Sequence, residues 1–298
     1  TLSLAQLVQA SVDLRAGIDV LNVTLGGGAV DIGGGVVLRV RGVETGNLGG
    51  SDTEDALTLS GRQLDAILTG PGGIDLGDGA DTLSLTSASA DLAVLAGTDA
   101  SIVGLETISF AGAARGIVLD LSAQSEEVAL TGGIRGDRLT GGSGDDTITG
   151  GDGADRLAGG AGADMIAGNA GVDRLTGGEG SDSFVLENTL ASYDIINDFV
   201  SGTDVLQIDA TLFGGGLAEG ALVGDRFAAA TNPLALVSSS GDGRFLFDNA
   251  GSGAGRVYWD VNGGAATDAV WEQLAGLKNL EFFLIDRYPS MAPGFDFC

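Results

Sequence analysis

The residues in this chain best placed to do chemistry are aspartates set at a fixed interval. Asp137, Asp146, Asp155, Asp164, Asp173 and Asp182 follow one another at every ninth position. Around them, Gly132 to Val185 divides into six units: GGIRGDRLT, GGSGDDTIT, GGDGADRLA, GGAGADMIA, GNAGVDRLT and GGEGSDSFV. Glycine recurs at the first, second and fourth positions, aspartate at the sixth and an apolar residue at the eighth. Carboxylates combined with glycine turns, which expose backbone carbonyls, form an all-oxygen donor set. That suits calcium, which takes roughly 6 to 8 oxygen ligands and tolerates irregular geometry. Asp and Gly are also ordinary turn residues, but turn chemistry alone does not impose a strict nine-residue spacing.

Other chemistries are poorly provided for. The chain has no histidine, which removes the Ser-His-Asp triad, the H-E-x-x-H zinc helix and most transition-metal sites. No G-x-S-x-G occurs. The sole lysine, Lys278, follows Leu277, so there is no phosphate-binding G-x-x-x-x-G-K loop. "DVNGG" from Asp260 resembles the start of an EF-hand loop, but Trp271 stands at the twelfth position where glutamate is needed. With 41 acidic residues, catalytic carboxylate pairs are uninformative. The reading is therefore not an enzyme.

Composition sets the frame. The 298 residues carry a net charge of -27, which argues against nucleic acid or anionic membrane as partner and fits bound cations. A hydrophobic fraction of 44% is too high for a solvated acidic tail, so the chain should fold once its charge is compensated. The one cysteine, Cys298, excludes a disulfide framework. No apolar run reaches the roughly 18 residues needed to span a bilayer. The opening "TLSLAQLVQASVDLR" lacks the basic head and apolar core of a signal peptide, implying export by another route or a fragment.

The elements that must position the aspartates follow from the repeat. Of 16 aromatic residues only Phe110 precedes Phe184, so the first part must build its core from aliphatic side chains. Glycines allow turns of positive φ, and a short strand with one inward apolar side chain fills the rest of each unit. One unit then makes half a turn of a coil. Leu139, Leu157 and Leu175 stack in one sheet, and Ile148, Ile166 and Phe184 in the other. No single turn buries its apolar side alone, so the stack is stable only as a stack. The aspartates stack too, at about 4.8 Å per turn. Their repulsion opposes folding, and a divalent cation between them reverses its sign.

A longer repeat precedes the units. Asp19–Thr24 matches Asp81–Thr86 at an offset of 62, as do Val43–Thr45 with Leu105–Thr107 and "LTG" at 68 with "LTG" at 130. The expected organisation is an irregular β-solenoid over 1–131, the regular roll over 132–185 and a β-rich C-terminal cap over 186–298. The fold class is all-β. Asp81 with Gly77 and Gly79 is a candidate for a further calcium, with Asp19 a weaker one. Simply ending a turn before a strand is the equal alternative. Short helices are expected at 2–10 and 88–95. Strands are expected at "DVLQID", "GRFLFD", "GRVYWDV" and "LEFFLID".

The pattern G-G-x-G-x-D-x-U-x resembles the calcium-binding nonapeptide of RTX (repeats-in-toxin) proteins. The resemblance implies calcium between a unit and the unit two further on. The first gives carbonyls at its second and fourth positions, the second at its first and third, and each gives its aspartate. One implied site joins Gly142, Gly144 and Asp146 to Gly159, Ala161 and Asp164. The next joins Gly151, Gly153 and Asp155 to Gly168, Ala170 and Asp173. A third joins Gly160, Gly162 and Asp164 to Gly177, Glu179 and Asp182. A fourth joins Gly133, Arg135 and Asp137 to Gly150, Asp152 and Asp155, with Arg135 standing where glycine is expected. Asn169 likewise replaces a glycine. About four or more ions are implied. "YDIINDFVSGTDVLQID" resembles the segment after the roll in that family, where Asp198 and Asp204 close the last turns or bind a further ion.

The resemblance also implies the type I secretion machinery as partner, with "PSMAPGFDFC" resembling its C-terminal signals. The location implied is extracellular or on the bacterial cell surface. The function expected is a non-enzymatic, calcium-dependent surface-layer or adhesin domain that contacts itself or cell-surface polysaccharide. The alternative is the secretion and folding module of a protease, lipase or epimerase whose catalytic domain lies before Thr1.

Overall fold

The structure is a computed structural model. It describes residues 2–3, 11–13, 20–24, 28–31, 39–41, 45–49, 54–68, 73–95, 97–186, 194–200, 203–208, 227–230, 244–248, 256–260, 271–277 and 295–297. The chain forms two compact units, Thr1–Asp152 and Gly153–Cys298. Their described residues form mainly strands. The parallel sheets wind as a β-solenoid, so the expected all-β class is the one observed.

In the first unit, one sheet runs Gly28–Asp31, Asp55–Leu59, Thr82–Leu85, Thr107–Ser109, Ala129–Thr131 and Thr147–Asp152, every neighbour parallel. The register shows the length of each turn. Gly28 pairs with Asp55, Ala56 with Thr82, Thr82 with Thr107, Thr107 with Ala129 and Ala129 with Thr147. Partners thus lie ever closer in sequence, and the coil tightens toward its C-terminal end. Hydrogen bonds between successive turns record the change. The Asp55 N–H reaches 26 positions ahead to Asp81, the Asp81 N–H reaches 25 ahead to Glu106, and the Val128 N–H reaches only 18 ahead to Asp146. Parallel neighbours without long loops are what a coil requires, since each strand meets its own successor one turn later.

The extra residues of the long turns hold short helices. The first, α1 (Gly61–Leu68), begins at a capping box. The Ser60 N–H donates to Gln63 Oε1 at 2.7 Å, and the Gln63 N–H to Ser60 Oγ at 3.4 Å. It buries Leu64, Ile67 and Leu68. The second, α2 (Ala90–Leu95), falls where a helix is expected, with the Leu92 N–H bonded to Ser89 Oγ at 3.0 Å. At the chain start, Leu2–Ser3 is strand rather than helix, because it pairs with Val23–Thr24. The remainder of 2–10, Asp19 and the expected strand at 280–286 lie outside the described residues. Two of the blocks related by an offset of 62 do not stack on one another. Val20–Thr24 and Thr82–Leu85 lie in different sheets, and each sheet keeps its own register. Val20 pairs with Thr45 and Asn47 with Gly73 in one, Ala56 with Thr82 and Thr82 with Thr107 in the other.

In the second unit the two-sheet roll is regular. Leu157 pairs with Leu175 and Ile166 with Phe184, both parallel and both one turn apart. The roll runs on past the last repeat. Phe184 pairs with Leu206, and Leu175 with Ile196. Phe199 packs on Phe184 with ring centroids 6.2 Å apart. Beyond, the expected strands appear as Val205–Ile208, Arg244–Asp248, Arg256–Asp260, and additionally Trp271–Leu277, the last three joined antiparallel.

One inward side chain per half-turn carries the core: Leu139, Ile148, Leu157, Ile166, Leu175 and Phe184 are all at most 2% exposed. So thin a core has no second layer to compensate for a loss. We predict that Ile166→Ala costs about 3 kcal/mol or more in calcium-saturated protein, measured by denaturant unfolding.

Candidate metal centre

Each sixth-position aspartate stands immediately before a strand, and its carboxylate turns inward. Asp137, Asp146, Asp155, Asp164, Asp173 and Asp182 are between 0% and 3% exposed. Their partners repeat with the coil. In the second unit the Asp164 N–H donates to Asp182 Oδ1 at 3.1 Å, and the Asp182 N–H to Asp204 Oδ1 at 3.1 Å. On the other sheet the Asp155 N–H donates to Asp173 Oδ1 at 2.7 Å, and the Asp173 N–H to Asp194 Oδ1 at 3.0 Å. The first unit does the same: the Ile117 N–H donates to Asp137 Oδ1 at 2.6 Å, and the Val128 N–H to Asp146 Oδ1 at 2.9 Å. A second amide reaches the other oxygen from within the turn, Gly133 to Asp137 Oδ2 at 2.7 Å and Gly142 to Asp146 Oδ2 at 2.6 Å.

The three glycines of a unit answer different demands. The second and fourth positions are left-handed: Gly151 and Gly153 at φ 102° and 132°, Gly160 and Gly162 at 130° and 126°, Gly178 and Gly180 at 114° and 137°. Asn169 takes the same region at 64°, tolerated because asparagine is the side chain best suited to it. The first position is glycine for another reason. A Cβ on Gly159, Gly168 or Gly177 would lie 2.0, 2.4 or 2.0 Å from Oδ2 of its own unit's Asp164, Asp173 or Asp182. The carboxylate folds back over that glycine. Gly142 and Gly144 depart from the rule. Neither has positive φ, and a Cβ on them would strike Gln124 and Glu126 backbone atoms at 2.4 and 2.6 Å.

Burial pushes the carboxyls of Asp146, Asp173, Asp182 and Asp204 above the usual range, and the amide bonds only partly offset it. Neighbouring acids push the same way: Glu127 and Asp145 on Asp146, Asp204 and Asp198 on Asp182. For Asp173 the Asp155 amide and the neighbouring Asp194 side chain pull the other way. Asp173 Oδ2 is buried without a hydrogen-bond partner. The residues therefore fit a hard cation: an oxygen-only donor set with desolvated charge. Among the described residues, no three His, Cys, Asp or Glu side chains converge as a metal cluster. A cation held here would draw on paired aspartates and backbone carbonyls instead.

Residues of three of the expected ligand sets meet across a turn. Gly160, Gly162 and Asp164 meet Gly177, Glu179 and Asp182 across one turn, with the Gly162 N–H on the Glu179 carbonyl at 2.9 Å. Gly153 and Asp155 meet Ala170 and Asp173, with the Gly153 N–H on the Ala170 carbonyl at 2.7 Å. In the first unit, Gly133 meets the later turn through its carbonyl, which accepts the Asp152 N–H at 3.0 Å. Arg135 is exposed. Asp204 continues the column, accepting the Asp182 N–H on Oδ1. Asp198 closes the last turn, accepting from Gly177 at 3.0 Å and Gly178 at 2.9 Å. Asp194, the 7% exposed partner of Asp173, belongs to the set although the nine-residue spacing does not point to it. Its signal is "DII", an aspartate two before an inward apolar residue.

Comparison with known proteins agrees with this geometry. The model of the RTX calcium-binding nonapeptide repeat matches residues 131–166 and 151–184, in four copies. This segment is a calcium-binding RTX repeat module. No curated protein matches the chain. Among solved structures, the AlgE6R3 subunit of the Azotobacter vinelandii mannuronan C5-epimerase is similar at 28% identity. The match covers 54% of this chain and 85% of that one, with a TM-score of 0.31.

Two outcomes follow. Gly177→Ala leaves its backbone unstrained but displaces the Asp182 carboxylate. The calcium midpoint of folding should rise roughly tenfold in a circular-dichroism titration. Metal-free protein should respond to acid with the opposite sign from an ordinary acidic protein. Carboxyls raised in the fold contribute stability that is full below about pH 4 and lost as pH rises through their folded values. Thermal melts of metal-free protein should therefore improve from pH 7 toward pH 4, and calcium-loaded melts should worsen.

Proposed function

We propose that the chain is a calcium-dependent extracellular structural domain, part of a surface-layer or adhesin-type protein, which leaves the cell by type I export and folds outside. The observation that carries this is the columns of buried aspartates. Folding brings them out of water with amide partners but no compensating charge, so the folded state is favoured only where a cation joins it. Metal that binds only the folded form supplies folding free energy. Free calcium at ten times a site's Kd adds about 1.4 kcal/mol per site, so several sites decide whether the roll forms. Low calcium inside the cell then keeps the chain unfolded and passable through an exporter, and high calcium outside folds it.

A long coil with a repeating outer face supports assembly. Arg156 and Arg174 are register neighbours, both exposed, in a chain of net charge -27. That pair suits an acidic partner, either cell-surface polysaccharide or the acid-rich turns of another copy.

A calcium titration of the purified chain, with magnesium as control, tests the reading. Far-UV circular dichroism should show β structure arising cooperatively with calcium alone, and light scattering should show particles growing in the same range. A chain fully folded in chelator and indifferent to calcium would overturn it. A calcium-folded chain that stays monomeric would overturn the assembly role alone.

A further inference from the structure

Outside the nonapeptide segment, one turn of the first unit reproduces the backbone of a repeat. Gly77 and Gly79 are left-handed at φ 91° and 147°. They stand four and two positions before Asp81, as the second- and fourth-position glycines stand before each sixth-position aspartate. Asp81 is 0% exposed and precedes the strand Thr82–Leu85, as its counterparts precede theirs. Its Oδ1 accepts the Asp55 N–H at 2.7 Å, the same bond between successive turns that links the repeat aspartates. Its Oδ2 is buried and has no hydrogen-bond partner. The successive turn comes against it at two points. Gly104, at φ 61°, approaches so closely that a Cβ there would lie 2.5 Å from the Gly77 carbonyl oxygen. Glu106, immediately before the strand that pairs with Thr82–Ser84, accepts the Asp81 N–H on Oε2 at 2.7 Å.

We infer that Asp81 and Glu106, with the turn carbonyls of Gly77 and Gly79, form a further site for a hard divalent cation, outside the segment that matches the repeat family. The glutamate occupies the position that aspartate holds in the regular repeats. It also belongs to a looser turn. Glu106 follows Asp81 by 25 positions, whereas Asp182 follows Asp164 by 18. Register brings Glu106 beside Asp81 all the same, since Thr82 pairs with Thr107 as Met165 pairs with Ser183. The buried, unpartnered Asp81 oxygen separates this turn from an ordinary acidic cluster. A carboxylate oxygen removed from water with no donor calls for an ion. The chemistry is that of the proposed calcium sites, so the inference rests on that reading for the identity of the ion. Its location does not depend on the repeats.

The test counts ions. Equilibrium dialysis of the full chain against radioactive calcium gives the number bound per chain for the native protein, Asp81→Asn, Glu106→Gln and the repeat double variant Asp164→Asn/Asp182→Asn. Asp81→Asn should bind one calcium fewer while keeping the calcium-induced β signal of the roll. Glu106→Gln preserves an acceptor for the Asp81 N–H and removes only charge, so it should weaken one ion roughly tenfold and leave the others. The repeat variant should lose ions that neither of the others touches. Unchanged stoichiometry and affinity in a folded Asp81→Asn and a folded Glu106→Gln would overturn the inference while leaving the repeat sites standing. If Asp81→Asn does not fold, Glu106→Gln decides. A native chain that binds no calcium would overturn both readings together.

Discussion

Carboxylates that folding takes out of water are the constraint on which the rest of the molecule depends. Two unit charges at the spacing of stacked strands, about 4.8 Å, repel by roughly 3 kcal/mol at an effective dielectric near 20. A few such pairs equal the whole net stability of an ordinary domain, about 5 to 15 kcal/mol. The coil does not avoid that repulsion. At Asp137 and Asp146 it holds the carboxylate with one amide from the neighbouring turn and a second from its own. Amides orient the charge and soften its burial but cannot neutralise it. The geometry is complete in the chain, and a bound cation would supply the charge that the amides cannot.

The same constraint explains why the side chains are so small. A glycine under each carboxylate, at Gly159, Gly168 and Gly177, exists because the carboxylate occupies the space a Cβ would take. Two further glycines reverse the backbone tightly enough for two units to close one turn. One apolar residue per half-turn is then all the room that remains, and a single row of leucine, isoleucine and phenylalanine is the result. Apolar core and buried carboxylates compete for the same positions of each unit, and the carboxylates with their glycines take most of them.

Much of this is legible in the sequence because the period is strict. Nine-residue spacing suffices to stack Leu157 on Leu175 and Ile166 on Phe184 and to mark every buried aspartate of the six units. What is not legible lies where the period loosens. Asp194 follows Asp173 by 21 positions and Glu106 follows Asp81 by 25, so no fixed interval points to them. Only the coil, which aligns strands regardless of the loop between them, brings them into the column. The similarity at an offset of 62 does not report a turn at Val20–Thr24 and Thr82–Leu85, which lie in different sheets. The helix α1 has a signal in Ser60 and Gln63, a capping box set among residues that otherwise read as strand and turn. The first-position glycines read as turn residues in the sequence, whereas their cause is a side chain five positions later.

The falling turn length, from the Gly28–Asp55 turn to the Ala129–Thr147 turn, makes the coil a graded spring under tension. Each turn contributes the same small rise along the stack. Drawn out to an extended chain, the longest of these turns releases about 90 Å, and the shortest only about 60 Å. A pull therefore meets uneven gearing. The loose end gives much length for each ladder of backbone bonds broken, and the tight end gives little. Length yielded per ladder broken would thus fall along the stack, a difference written into the residues between paired strands.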